Sequence, residues 1–289
     1  MQQLSVSLSP APRHVPPSLK VVNFFNGIAQ IGWAIFGFGM IFFWAFVSNA
    51  DFSFVNFRGP YGTVDGKVTR VEETGASVNR SKVRANHYQY SLDGNLHEGV
   101  SYSTGQSVSP EETVQIEFAL NDPSRSRITG QRRALFGPGV SFVSIFPLIG
   151  LAILVPATIS GIRRNRLLRE GLLANGTLKS KSRTNVTVNN RPLYELIFEF
   201  TARDGRRHEA KARSTFTERL EDEEQEPLLY DPNDPTRAFV LDQAPARPEI
   251  EPNGDLRGRP AAAVRSLILP GLVIAAHGAV LLIKMGVLS

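Results

Sequence analysis

The sequence NDPSRSRI runs from Asn121 to Ile128, and the sequence NDPTRAFV runs from Asn233 to Val240, 112 residues later. Asn and Asp side chains bond to nearby backbone and favour turns, whereas Pro fixes φ and cannot continue a central strand. Each copy therefore predicts a structural corner after a strand, followed by a short edge strand. The alternative is a ligand site that uses Arg125 or Arg237.

The sequences before the two motifs also correspond. Asp93-Gly94 and Asp204-Gly205 each lie between alternating polar and apolar runs, a pattern typical of a β-hairpin. Three further stretches match in order: Gly66–Glu73 with Gly176–Arg183, His87–Ser103 with Tyr194–Ala210, and Thr113–Leu120 with Glu226–Asp242. We therefore predict a duplicated small β domain, at 54–131 and 170–243. Each copy is expected to fold as a barrel-like or curled sheet, because closure or curling removes exposed edges.

Three apolar stretches alternate with these domains, at 27–48, 135–161 and 266–284. About 20 apolar residues cross a bilayer as a helix. A cleaved signal peptide is the alternative for the first stretch, and a buried soluble helix for the second. Pro138 is suited to begin the second helix, and Pro147 and Pro156 are expected to kink it. The predicted fold class is a membrane α-helical plus all-β protein.

Two further segments and one helix face carry predictions. Residues 1–26 form a Pro-rich N-terminal segment, of which Ser9–Ser18 is expected to be extended. Residues 244–263 have the composition of a linker into the third helix. Gly271, Ala275 and Ala279 form a series of small residues that favours close helix packing.

Charge excludes some functions and indicates an orientation. The segment 49–138 has ten acidic and ten basic residues, and the segment 162–263 has seventeen acidic and eighteen basic residues. Neither segment has the basic excess of a nucleic-acid binder. The flanks on the N-terminal side of the membrane carry nine Lys or Arg against six on the other side, which predicts an inside N-terminus. The absence of Cys excludes disulfides and thiolate sites.

Three features of each repeated unit can be compared with known families. They are a strand that begins at a glycine, a hairpin with a central Asp-Gly, and a last strand that runs into Asn-Asp-Pro-x-Arg. Together they resemble the bacterial membrane-protein family numbered 3592 among the domains of unknown function. Val114–Ile128 and Leu228–Val240 match its terminal motif in part: the second copy has the expected Tyr230 and Pro232, whereas the first has Phe118 and Leu120. The resemblance implies two tandem copies of a small β domain between helices, a bacterial inner (plasma) membrane location and no catalytic residues.

Few residues form a pattern that is typical of a catalytic or metal-binding site. His97-Glu98 and His208-Glu209 occupy equivalent positions, but neighbouring residues of a strand point to opposite faces and cannot easily chelate one ion. The sequence lacks a helical His-Glu-x-x-His motif, a phosphate-binding Gly loop and a Gly-x-Ser-x-Gly elbow. We therefore predict no catalytic, metal-binding or cofactor-binding residues and no small-molecule substrate.

Two charged runs and two polar residues within the apolar stretches remain. Arg219–Pro227 is expected to be a solvated loop or helix end, or an acidic contact surface for a basic partner. Arg163–Glu170 is a basic cluster that sets topology and meets anionic lipid, or recognises a specific lipid. His277 and Gln30 lie within apolar stretches, and His277 is expected to bond a neighbouring helix carbonyl, or to belong to a proton or substrate path.

These observations favour a non-enzymatic multi-pass membrane protein whose β domains bind other proteins or brace an assembly. The expected partners are the lipid bilayer and either a protein partner or further copies of the chain. The alternative function is a small transporter or channel component that acts as an oligomer, because three helices are few for a pathway. A membrane hydrolase is the third possibility.

Overall fold

The structure is a computed structural model, and it describes residues 8–105, 108–222 and 224–287. Within these residues the α-helices are α1 (Pro17–Phe25), α2 (Ile28–Ala45), α3 (Ser53–Asn56), α4 (Ile145–Glu170) and α5 (Pro260–Lys284). The strands of the first half are β1 (Tyr61–Val78), β2 (Ser81–Leu92), β3 (Asn95–Thr104), β4 (Thr113–Ala119) and β5 (Asp122–Ile128). Those of the second half are β6 (Leu172–Val188), β7 (Arg191–Thr201), β8 (Arg207–Ser214), β9 (Glu226–Asp231), β10 (Asp234–Val240), β11 (Glu249–Ile250) and β12 (Leu256–Arg257).

The chain divides into two compact units, which we describe separately. One unit comprises the described parts of Met1–Gly37 and Ile149–Ser289, and the other is Phe38–Leu148. The first β domain therefore belongs to the Phe38–Leu148 unit. The second β domain belongs to the other unit, together with α1, α5 and most of α4.

Three helical stretches are long and apolar enough to cross a membrane, at Ile28–Asn49, Pro138–Glu170 and Pro260–Lys284. These stretches coincide with the three predicted apolar spans, and they indicate a membrane protein. The second begins as a 3₁₀ helix at Pro138–Ser144, with the proline in its first turn. The α-helical part begins only at Ile145, so Pro147 lies in its first turn, where an amide donor is not needed. The prediction that Pro147 lies inside a helix and kinks it is therefore wrong, and Pro156 is the internal proline of α4.

The segments beside the helices are more ordered than their composition predicted. Residues 8–16 form no helix or strand, and the stretch predicted to be extended gives way to helix only at Pro17, where α1 begins and buries Leu19 and Val22. Residues 1–7 lie outside the described residues. The predicted linker 244–263 contains the β11–β12 hairpin and the first residues of α5. Ala244 and Leu256 from this segment pack in one core with α1 and the end of α4. Small and apolar residues in a Pro- and Gly-rich segment can fill a core, and composition alone does not reveal this.

Each β domain is a five-stranded antiparallel sheet, and the two sheets have the same strand order. The first has the order β3-β2-β1-β4-β5, and the second has the equivalent order, read from the other end, β10-β9-β6-β7-β8. In the first sheet the edge strands approach each other, because the backbone N–H of Ile128 donates to Ser101 Oγ at 2.8 Å. The sheet is therefore curled, although among the described residues no ladder joins β3 to β5 as barrel closure would require.

The irregularities of the two sheets are also the same, which agrees with the predicted duplication. The β1–β2 register shifts between Val68 and Arg70 and again between Glu73 and Ser77, and β6–β7 shifts at the equivalent places. At the second bulge, Thr74 Oγ1 donates to the carbonyl oxygen of Val83 at 2.8 Å, and Thr184 Oγ1 donates to that of Leu193 at 2.9 Å. A bulge depends on local side chains, so its repetition is a closer likeness between the two sheets than strand order alone.

The predicted Asp-Gly turns are present but have different lengths. Asp93 and Gly94 both have positive φ, 49° and 80°, and alone connect β2 to β3. Gly205 also has positive φ, 76°, but the N–H of Ala202 donates to the carbonyl oxygen of Arg206, so this loop has three residues. The sequence analysis missed the tight β1–β2 and β6–β7 turns, whose residues have positive φ without glycine: Asn79, Arg80, Asn189 and Asn190.

The repeated Asn-Asp-Pro motif forms a turn followed by a bulge. Ala119 pairs with Asp122 and Phe118 pairs with Ser126, so three residues of β5 bulge out beside adjacent residues of β4. In the second copy, the equivalent pairs are Asp231 with Asp234 and Tyr230 with Ala238. The proline lies within this bulge, where the ladder needs no N–H. The predicted corner and edge strand are confirmed, but the strand begins at the Asp and not at the Ser or Thr.

Candidate functional site

The two His-Glu pairs lie at equivalent places on β3 and β8. His97 stacks on Tyr90, with ring centroids 5.2 Å apart, and His208 lies against Phe200, with centroids 6.0 Å apart. Glu209 points away from this ring, since its Oε1 lies 2.7 Å from Lys179 Nζ in an exposed ion pair. The imidazole and carboxylate of the second pair thus have separate surroundings, as the alternation of strand side chains predicts.

Both polar residues in the apolar helices are bonded to the backbone of another helix. His277 Nε2 lies 3.0 Å from the carbonyl oxygen of Gly37, which is the expected bond to a neighbouring helix. Gln30 Nε2 donates to the carbonyl oxygen of Ser266 at 2.7 Å and also to that of Phe25. These contacts join α2 to α5 at two levels. They satisfy side-chain donors that would be costly to leave unpaired in lipid.

Glycines on α2 allow its close contact with the other helices. A Cβ at Gly37 would lie 2.6 Å from Val273 Cγ2, and a Cβ at Gly32 would lie 2.9 Å from Leu154 Cγ. By contrast, Gly271, Ala275 and Ala279 are exposed, and a Cβ at Gly271 would meet no atom within 4 Å. The prediction that this series packs against a helix is therefore wrong within the described chain. The small residues that permit packing are instead on α2 and on α4, where a Cβ at Gly150 or Gly161 would also meet a neighbouring helix.

The acidic run Arg219–Pro227 is not a uniformly solvated loop. Glu221 pairs with Lys181, with Oε2 2.6 Å from Nζ, and Glu226 is only 1% exposed. Carboxylate oxygens of Asp222, Glu226 and Asp242 lie within 4.8 Å of one another. Burial raises the pKa of Asp242, and the negative charge of Asp222 raises it further. Three carboxylates could offer oxygen ligands to Ca²⁺ or Mg²⁺, but acidic groups of this kind are common without an ion, and we assign none. Glu223 of this run lies outside the described residues.

The first β domain contains a buried polar network that the sequence analysis missed. Asn86 is fully buried, and its Nδ2 donates to Ser103 Oγ at 3.0 Å and to Gln131 Oε1 at 2.7 Å. Its counterpart in the second domain is Leu196, since Asn86 pairs with Val71 of β1 and Leu196 pairs with Lys181 at the equivalent position of β6. A comparison of the two copies position by position would have revealed this difference.

The same contrast extends to the centre of each core. The hydroxyls of Tyr88 and Ser126 lie 2.9 Å apart, where the second domain has Phe198 and Ala238. Burial raises the pKa of Tyr88, although hydrogen bonds from serines oppose the shift. Gly99 makes room for this hydroxyl, because a Cβ there would lie 2.4 Å from it. Bonded polar groups such as these two hydroxyls help to specify one packing of a core, whereas Asn86 Oδ1 is buried without a hydrogen-bond partner among the described residues.

The basic cluster Arg163–Glu170 forms the last turns of α4 and divides into two parts. Arg166 pairs with Glu170, with Nε 3.2 Å from Oε2, and also approaches Asp231. The backbone carbonyls at the end of the helix are capped by the buried side chain of Arg13. Arg163 and Arg164 instead line a cavity of about 330 Å³ together with Arg237 of the repeated motif. Arg237 is itself paired, with Nε 2.9 Å from Asp234 Oδ2.

No protein-family model, curated protein or solved structure matches this chain. The resemblance to the numbered family of unknown function therefore stays a prediction, and the function must be argued from the site geometry.

Proposed function

We propose that this chain is a non-enzymatic, multi-pass membrane protein whose β domains are protein-interaction or assembly modules. The observation that carries the proposal is a long projecting strand edge in each domain, which we call its arm and which is two-stranded only at its tip. The outer half of β1 pairs only with β2, and β6 pairs only with β7 from Thr177 to Val188. A strand edge of this kind presents unpaired N–H and C=O groups, which can accept an extended segment of another polypeptide.

Exposure supports this role for the second arm. Every residue from 177 to 188 is exposed except Thr184, which is half-buried at the bulge. Among these residues are Val186 and Val188, which are 51% and 46% exposed. The arm adds little to the core, so its length is not explained by the stability of its own domain. We infer that it contacts a partner protein or a second copy of the chain.

Site-specific photocrosslinking in cells tests this proposal. A benzophenone amino acid at Ser182 or Val186 is expected to give a crosslinked species of defined mass. The same group at Arg206, exposed in the turn after β7, provides the control and should give none. A chain with a second tag would reveal whether the captured molecule is another copy. If the arm positions gave no more adduct than Arg206, the arm would not be an interaction surface.

We also propose a location in the bacterial inner membrane with the N-terminus inside, as tandem copies of the numbered family. The excess of Lys and Arg on the N-terminal side supports this orientation. With three crossings, the first β domain is then outside and the second inside. The contacts of His277 and Gln30 within the chain give the alternative transport function no specific support.

A further inference from the structure

We propose that the end of α4 forms a binding site for one anionic phospholipid. Of the basic cluster Arg163–Glu170, only Arg163 and Arg164 belong to this site. Two adjoining cavities carry this inference, and both lie within one compact unit. The inference concerns lipid and does not rest on the proposed role of the β domains.

The two cavities have different chemistry. The first, of about 360 Å³, is lined mainly by apolar residues of α2 and α4, among them Ile28, Ala152 and Pro156. The second, of about 330 Å³, is lined by Arg163, Arg164 and Arg237. Ser160 and Arg164 line both cavities, so the apolar and basic parts meet at these two residues. Among the described residues that line either cavity there is no carboxylate.

This arrangement fits a phospholipid better than a soluble anion. The apolar sequence of α4 gives way to Arg163-Arg164 directly after Ile162, so the arginines lie where a helix leaves the hydrocarbon for the headgroups. Guanidinium groups bind phosphate oxygens in a bidentate manner. An acyl chain can occupy the adjoining apolar cavity, which a free phosphate would leave unused. Arg237 keeps its pair with Asp234, so Arg163 and Arg164 supply most of the net charge.

Competition between lipids on the purified full chain tests the site. Native mass spectrometry would measure binding of phosphatidylglycerol against phosphatidylcholine with the same acyl chains. The double variant Arg163→Gln/Arg164→Gln is expected to reduce the preference for the anionic lipid about tenfold, as loss of charge-assisted bonds to phosphate does. The matched control Arg169→Gln/Arg257→Gln removes the same charge from exposed residues outside both cavities and should retain the preference.

A second pair of variants tests the apolar part. Ala152→Phe fills the apolar cavity from an exposed position, so it should weaken lipid binding without disturbing the core. Ala276→Phe makes the same change on an exposed position of α5 and should have no effect. Thermal unfolding in detergent would verify that each variant is folded.

Three results would overturn the proposal. Equal loss in both arginine variants would indicate general attraction of surface charge to anionic lipid. An unchanged preference for the anionic lipid in Arg163→Gln/Arg164→Gln would show that these two arginines do not bind its phosphate. Displacement of the lipid by millimolar inorganic phosphate or glycerol 3-phosphate, with no effect of Ala152→Phe, would indicate a soluble anion as the ligand.

Discussion

Arg13 Nη2 donates a hydrogen bond to the carbonyl oxygen of Gly171 at 2.8 Å, although the two residues are 158 positions apart. The same guanidinium donates to the carbonyl oxygen of Leu168 at 3.0 Å and to that of Ser9 at 2.8 Å. The last carbonyls of a helix lack intrahelical donors, and a positive charge there opposes the helix dipole. An N-terminal residue therefore closes the helix that leads into the second β domain.

Loss of this cap should destabilise the unit that contains α4 and the second β domain. We expect Arg13→Gln to lower the free energy of unfolding by about 2–3 kcal/mol, because it leaves buried carbonyls without their charged donor. Arg13→Lys should recover little of this stability, since an ammonium group cannot reproduce the planar, forked set of donors of a guanidinium group. Denaturant unfolding in mild detergent would measure both. Arg169→Gln, at an exposed position of the same helix, should change the stability by less than about 0.5 kcal/mol.

Helix packing predicts opposite results for two glycines. Gly37→Ala should lower the free energy of unfolding by about 1–3 kcal/mol, because its Cβ would lie 2.6 Å from Val273 Cγ2 and force α2 away from α5. Gly271→Ala should be neutral or stabilising by up to about 1 kcal/mol, since its Cβ meets no neighbour and alanine favours helix. Thermal unfolding of the two variants in one detergent provides the comparison. Equal effects would show that this contact does not determine the position of α5.

Asp51 should make the stability of the first unit depend on pH. Burial would raise the pKa of Asp51, but hydrogen bonds from the Ser53 hydroxyl and from the N–H groups of Arg133 and Ser53 outweigh it and lower the pKa below its usual value. The stabilisation is therefore present above the unfolded pKa of about 3.9 and is lost as pH falls through the folded pKa.

The corresponding variant is Asp51→Asn. At pH 7 this substitution should lower the free energy of unfolding by about 1–3 kcal/mol, because the N–H of Arg133, 2.8 Å from Oδ2, loses its charged acceptor. The difference from the native chain should narrow as the pH falls below about 4. Asp65→Asn, at an exposed position of the same unit, is the control. A difference that stayed constant with pH would assign the loss to packing and not to charge.

Cysteine labelling tests the proposed orientation, since the chain has no native Cys. Ser91→Cys in the first β domain should react with an impermeant thiol reagent in cells with a permeabilised outer envelope. Arg206→Cys in the second should react only after lysis, because that domain is proposed to be inside. Both positions are exposed in their own domains. Ser101→Cys is buried and should react in neither case. The reverse pattern would show that the N-terminus is outside.

Local sequence patterns predicted much of the architecture and few of its internal contacts. The Asp-Gly turns and the repeated Asn-Asp-Pro motif were recognisable because each depends on the backbone preferences of its own residues. The Asn189-Asn190 turn was not predicted, because it contains no glycine, although Asn tolerates the positive φ that both residues adopt. The basic cavity could not be predicted, since it joins α4 to Arg237 of the second Asn-Asp-Pro motif.

The sequence by itself determined three apolar helices and two similar β units, because hydrophobic length and turn chemistry act over short distances. Only the tertiary structure decided that Asn86 is buried where the second copy has Leu196. It also decided that Gly37, and not Gly271, meets a neighbouring helix, and that Arg13 caps α4. These outcomes depend on which residues from distant parts of the chain share one space, and a pattern along the chain does not contain that information.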